Sequence, residues 1–184
     1  MKKYQIIYAD PPWEYSSVDS WKKMCGGIKA KYDLMNVWEI CALPVSKLAA
    51  PNCILFLWVT FPCLKEGLQV MEAWGFKYTT LGFSWIKTNK KDGKPFFGIG
   101  HYTKSNCEVC LIGKKGGSLK VSDLVSSVVI SPKREHSRKP DEVRERIVEL
   151  CGDRPRIELF ARQKVEGWDV WGEETPKHTQ MRIH

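Results

Sequence analysis

YQIIYADPPW, residues 4–13, is a short apolar run that ends on Asp10-Pro11-Pro12-Trp13. Its length and its β-branched and aromatic content are those of a buried strand. Two consecutive prolines, which lack N–H donors, stop it from continuing into a ladder or a helix. Asp10 is therefore expected at the end of a strand. Open α/β sheets bind ligands in the crevice outside the carboxyl ends of their strands. The tetrapeptide presents a carboxylate, a stiff backbone and a large ring together, although from these four residues alone an ordinary strand exit with a surface Asp reads equally well.

Beyond Trp13, Glu14 to Lys31 is polar, contains Gly26-Gly27 and has no sustained period, so a lid-like loop is expected there. Asp33 is the expected N-cap of a helix carrying Leu34, Val37 and Cys41 on one face until Pro44. Asn52 to Val59 is apolar on both faces, the pattern of a central strand. Pro62 to Trp74 reads as an amphipathic helix with Leu64, Leu68, Met71 and Trp74 in the core and Gly75 as its stop. Strands are expected over Phe76–Thr88, Cys107–Gly113, Val125–Ser131, Ile157–Arg162 and Trp168–Gly172. Asn89–His101 reads as a loop, Lys114-Lys115-Gly116-Gly117 as part of a connection, and a helix is expected from Pro140 to Gly152. This alternation predicts one α/β domain over residues 1–175 with a doubly wound sheet, and a frayed tail over 176–184.

The 184 residues suit a single domain. The longest clean apolar run, Cys53 to Val59, is too short to span a bilayer, and Asp10 interrupts what would otherwise resemble a secretion signal. Seven cysteines at irregular spacing fit reduced thiols and predict a cytoplasmic protein. Cys107 and Cys110 form a lone C-x-x-C without a second pair, so no metal is expected. Residues 85–140 hold twelve Lys and Arg against four acids, an excess equal to the net charge of +8 of the whole chain. With Trp85, Phe96, Phe97, His101 and Tyr102 interleaved, this segment is expected to face nucleic acid.

ADPPW at 9–13, HSRKPDE at 136–142, and IELFAR at 157–162 followed by GWDVWGEE at 167–174 together resemble the MT-A70 family of N6-adenine methyltransferases. LFLWVT at 55–60, WGF at 74–76 and WIKTN at 85–89 fall between them in the family's order. The resemblance implies a Rossmann-like methyltransferase sheet in permuted order, with the catalytic strand N-terminal and the cofactor-binding strand C-terminal. It also implies S-adenosylmethionine as cofactor. Asp10, Pro11, Pro12 and Trp13 would form the catalytic group, with Asp10 also bordering the cofactor. Lys139 would meet the methionine carboxylate, Leu159, Phe160 and Arg162 the adenosine part, and Glu173 and Glu174 the ribose or adenine.

Adenine N6 is a poor nucleophile because its lone pair is delocalised into the ring. The Asp10 carboxylate and the Pro11 carbonyl are two neighbouring acceptors for its hydrogens, held with little reorganisation. Trp13 and Tyr32 are the expected faces around the base, and Lys133 and Arg138 are expected to face phosphate. An adenine inside a duplex is out of reach, so the substrate must be single-stranded or flipped. DNA is favoured over RNA because the chain is compact and shows no RNA-binding module pattern. Adenosine N6-methylation of RNA is the alternative, and a silent nucleic-acid-binding subunit a third reading. A small domain with few elements for target reading leaves room for a homodimer or a partner subunit.

Overall fold

The computed structural model describes residues 2–14, 34–100, 102–134 and 138–172. Within them, seven strands form one sheet: β1 (Tyr4–Ala9), β2 (Ala49–Val59), β3 (Lys77–Thr88), β4 (Glu108–Lys115), β5 (Val128–Pro132), β6 (Arg156–Leu159) and β7 (Asp169–Trp171). Their order across the sheet is β5-β3-β4-β2-β1-β6-β7, with β2 in the middle as its apolar faces predict. The helices are α1 (Val37–Ala42), α2 (Leu64–Ala73) and α3 (Glu142–Cys151).

Both faces of β1 and β2 are covered. Tyr4, Ile7, Ala9, Leu55, Leu57 and Val59 pack with Ile40 of α1 and Val70, Met71 and Trp74 of α2 and its end. Ile6, Tyr8, Phe56 and Trp58 face the other way, onto Phe83, Trp85 and Val143, Ile147 and Cys151 of α3. The result is an α/β sandwich, with the sheet between two helical layers.

β1 runs parallel to β2 and to β6, β6 parallel to β7, and β3 parallel to β5. β4 alone is reversed, antiparallel to both β2 and β3. No helix lies between β3 and β4 among the described residues, and an antiparallel neighbour needs none, whereas a parallel one requires a crossover. The sheet is therefore mixed. Its reversal brings the beginning of β4 to the edge where β1, β2 and β6 end.

Several local expectations shift. Helix α1 is capped by Asn36, whose side chain accepts from Trp38 N and Glu39 N while Glu39 returns a bond to the Asn36 N–H; Asp33 and the expected loop over 15–31 lie outside the described residues. Leu68 is 40% exposed, because α2 turns Gly67 rather than Leu68 toward the sheet. A Cβ on Gly67 would sit 2.4 Å from Val59 Cγ1, so the missing side chain is what lets the helix approach β2. Lys114 and Lys115 extend β4 instead of opening the next loop. β6 stops at Leu159, and Phe160 turns out of it with a φ of 60°.

Candidate active site at the carboxyl edge of the sheet

β1 delivers Asp10 to the edge, and the turn after Asp10 is held by backbone bonds. Trp13 N–H donates to the Pro11 carbonyl at 2.9 Å, Met35 N–H to the Pro12 carbonyl at 2.9 Å, and Glu14 N–H to the Met35 carbonyl at 3.0 Å. The indole N–H of Trp13 donates to the Trp58 carbonyl at 3.1 Å. Both prolines, Pro11 and Pro12, thus sit in a braced turn. Trp13 is only 7% exposed. The open Trp13 face expected for stacking is not what the structure presents: the ring is an anchor between β1 and β2.

Lys139 reaches this edge from the loop before α3. Its Nζ donates to Asp10 Oδ1 at 2.7 Å and Oδ2 at 2.8 Å, and lies 3.0 Å from Glu108 Oε2. Glu108, the first residue of β4, is bonded on its other oxygen by Lys87 of β3. Asp10, Lys139, Glu108 and Lys87 thus alternate in charge, with the Lys139 ammonium 5.4 Å from the centre of the Trp58 ring. The Trp58 indole N–H in turn donates to Tyr8 Oη at 2.7 Å.

The environment tunes these groups in different directions. Burial pushes the Asp10 carboxyl above its ordinary value, aided by the Glu108 charge and opposed by Lys139. Burial works to raise Glu108 as well, but Lys139 and Lys87 together outweigh it and hold that carboxyl low. Lys139 is held above the usual lysine range: burial opposes its charge and the two carboxylates override that. Of the two carboxylates, Glu108 is the settled anion and Asp10 the one closer to accepting a proton.

The remaining expected site residues are not all gathered. Arg162 lies close enough for its charge to act on Asp10. Leu159 is fully buried in the core, where it packs with the residues on the α1 and α2 side of the sheet. The Phe160 ring packs edge-on against Trp171, centroids 5.3 Å apart. Lys133 lies over the Phe96 ring at 4.0 Å, and Arg138 is held by Asp141 with both distances 3.1 Å. Tyr32, Glu173 and Glu174 lie outside the described residues.

The buried Lys139 ammonium at this edge already carries Asp10 and Glu108, so a cofactor carboxylate would share it with them. The chain segments just after β6 and β7 approach so closely that a Cβ on Gly172 would lie 2.3 Å from the Ala161 carbonyl oxygen and 2.5 Å from its nitrogen, so only glycine fits there.

Glu108 and Lys87 escaped the sequence reading. The signal was a single carboxylate inside the apolar run NCEVCLI, which tertiary pairing alone explains. The basic segment is also divided: Lys87 and Lys133 lie at the site edge, but Lys114 and Lys115 end the reversed strand at the opposite edge. A cavity of about 380 Å³ lined by Lys2, Arg154, Arg156 and Asp169 is at that opposite edge too, away from Asp10. Among the described residues no group of three or more His, Cys, Asp or Glu is arranged to hold a metal, and no helix is long and apolar enough to cross a membrane.

Comparison with known proteins adds to this geometry. Residues 4–174 match the MT-A70 family. The chain is 34% identical over 195 residues to the Type II methyltransferase M.MunI of a Mycoplasma species, a match covering 95% of this chain and 79% of that one. It is 29% identical over 166 residues to the human N(6)-adenosine-methyltransferase catalytic subunit METTL3, covering 87% of this chain and 26% of METTL3. With the human N(6)-adenine-specific methyltransferase METTL4 it shares 27% identity over 194 residues, 96% of this chain and 38% of METTL4. The chain thus spans most of M.MunI but well under half of the two human proteins.

Proposed function

The chain belongs to the MT-A70 family of N6-adenine and N6-adenosine methyltransferases, and from that premise we propose that it transfers a methyl group from S-adenosylmethionine to N6 of adenine in DNA. The observation that carries this reading is the pairing of Asp10, at the end of a buried strand, with Lys139 from the loop before α3. The sheet is read as a methyltransferase sheet in permuted order, supported by β1 lying directly beside β6.

Asp10 and the Pro11 carbonyl are the acceptors for the N6 hydrogens. Pro11 already takes the Trp13 N–H and keeps a second lone pair. The braced Pro11-Pro12 turn fixes both acceptors before the base arrives, so little reorganisation is needed as positive charge develops on N6. Trp13 holds this turn to β2. Asp10 need not be a strong base, because methylated, cationic N6 is acidic, and its raised pKa suits a transient proton acceptor.

Lys139, Phe160, Arg162 and the Leu159 backbone would hold S-adenosylmethionine, with Glu173 and Glu174 at its ribose or adenine and Tyr32 at the target base. When bound, the cofactor supplies an electrophilic methyl group on a sulfonium. Lys139 is shared between Asp10 and Glu108, so Glu108 helps keep the ammonium charged and oriented while a free lone pair of Asp10 accepts from the base. Lys133 and Arg138 would meet the phosphates of the substrate.

DNA is chosen because the chain is compact and carries no RNA-binding module pattern in its sequence. Tritium transfer from labelled cofactor to DNA and RNA oligonucleotides of the same sequence tests the assignment. Labelled DNA is expected. Labelling of RNA alone would overturn the substrate, and labelling of neither would overturn the activity. Sedimentation with and without DNA tells a single copy from a dimer.

A further inference from the structure

Asp141, at the start of α3, gathers three arginines. Arg134 Nη1 donates to its Oδ2, Arg138 Nη2 lies 3.1 Å from both oxygens, and Arg144 Nη1 donates to Oδ1 at 2.9 Å. A carboxylate offers about four lone-pair positions, and these bonds occupy them. Arg134 and Arg138, by contrast, each engage Asp141 through one terminal nitrogen. Of the five donors on each guanidinium, most have no protein partner among the described residues, Arg134 adding only the Lys139 carbonyl at 3.5 Å.

The cluster is anchored below and open above. Arg144 is 10% exposed and bonds Glu158 bidentately, both distances 2.7 Å, whereas the Arg134 and Arg138 side chains are 32% and 34% exposed. Among the described residues, three guanidinium groups face the carboxylates of Asp141 and Glu158, an excess of one positive charge over these two acids. Glu142, the next acid, is taken by Arg146 at 2.9 Å. The amino end of α3, ten residues long, adds its dipole at the same place. A planar fork with spare parallel donors is suited to a tetrahedral oxyanion.

Lys139, whose ammonium holds Asp10, lies between Arg138 and Asp141 in the chain, so the open donors border the place where the base would react. We infer that Arg134 and Arg138 form the subsite for one phosphodiester next to the target adenine, with Asp141 as the positioning residue that presets both guanidinium groups. This rests on the reading of nucleic-acid adenine as the substrate. It adds Arg134 to the substrate surface, with Asp141 and the buried Arg144 holding it in place from behind, and makes the backbone charge beside the target, not only the base, a determinant of turnover at low substrate.

The test uses a short single-stranded oligodeoxynucleotide with one target adenine, its 5′ and 3′ flanking phosphates replaced one at a time by neutral methylphosphonate. For the unaltered protein, one replacement should lower kcat/KM about tenfold, mainly through KM, the scale of one charge-assisted bond. In the Arg134→Gln, Arg138→Gln double variant the native oligonucleotide should show that loss already, and methylphosphonate should cost nothing more, while calorimetric cofactor affinity is unchanged. The Arg134→Lys, Arg138→Lys variant, which keeps charge without the fork, should fall between. Insensitivity of the unaltered protein at both positions would overturn the subsite, as would an equal methylphosphonate penalty in protein and Gln variant. If neither the native oligodeoxynucleotide nor its RNA counterpart is methylated, the adenine reading fails and the subsite falls with it.

Discussion

Lys139 Nζ bonds both oxygens of Asp10, at 2.7 and 2.8 Å, across 129 residues of sequence. The Asp10 turn and the loop before α3 are therefore joined at Lys139. Replacing it with Ala leaves Asp10 and Glu108 as neighbouring carboxylates without their shared counter-ion. Lys139→Ala should lower stability by about 3 kcal/mol, the scale for breaking a buried pair, and weaken cofactor binding. Denaturant melts and titration calorimetry with S-adenosylmethionine check the two effects separately.

Glu108 acts on Asp10 through charge. It raises the Asp10 pKa by repulsion and competes for Lys139. Glu108→Gln removes the negative charge at nearly constant shape, so ionised Asp10 becomes easier to form and the acid limb of the kcat/KM profile should move to lower pH. A limb that stays in place or moves upward would mean that Asp10 does not set it.

Asp10 itself should cost stability at neutral pH. A carboxyl whose folded pKa is raised binds its proton more tightly in the folded state, so its ionised form is a penalty that is full above that pKa, declines as pH falls from it, and is gone below the unfolded value. Asp10→Asn should therefore melt at the same temperature or higher than the unaltered protein at pH 7, with the difference closing in acid. Asp141 has the opposite sign. Burial raises its pKa, the bonds from Arg134 and Arg138 outweigh that and hold it low, and its stabilisation is present above the unfolded value and lost as pH falls through the folded one.

The reversal of β4 places the basic residues at opposite edges of the sheet. Lys133 and Arg138 lie on the site side, while Lys114 and Lys115 close β4 at the far edge. Neutralising Lys133 and Arg138 should reduce the salt dependence of binding to a single strand by about 0.7 in log–log slope for each phosphate no longer neutralised. The Lys114→Gln, Lys115→Gln variant should leave the slope for a short oligonucleotide unchanged.

What was legible in the sequence was local. The strand ending at Asp10 is written in an apolar run and two prolines, the central strand in residues apolar on both faces, and α3 in Pro140, the acids after it and Gly152. The reversal of β4 was not, because strand direction depends on what joins the strands, and the joining segments carry no periodicity. The Lys139 position was suggested by its motif, but its bond to Asp10 and the role of Glu108 depend on which strand ends share an edge. Trp13 misled in the same way: an aromatic after two prolines reads as an open ring, and only the Trp58 carbonyl shows it to be an anchor.

Asp10 handles the N6 hydrogens, in the proposed reaction, while other residues hold the cofactor. The most direct measurement of that division is tritium transfer to a single-stranded DNA oligonucleotide by the Asp10→Ala variant, alongside its affinity for S-adenosylmethionine by calorimetry. Transfer should fall to background with cofactor affinity largely kept. Transfer persisting at the rate of the unaltered protein would show that Asp10 has no such role.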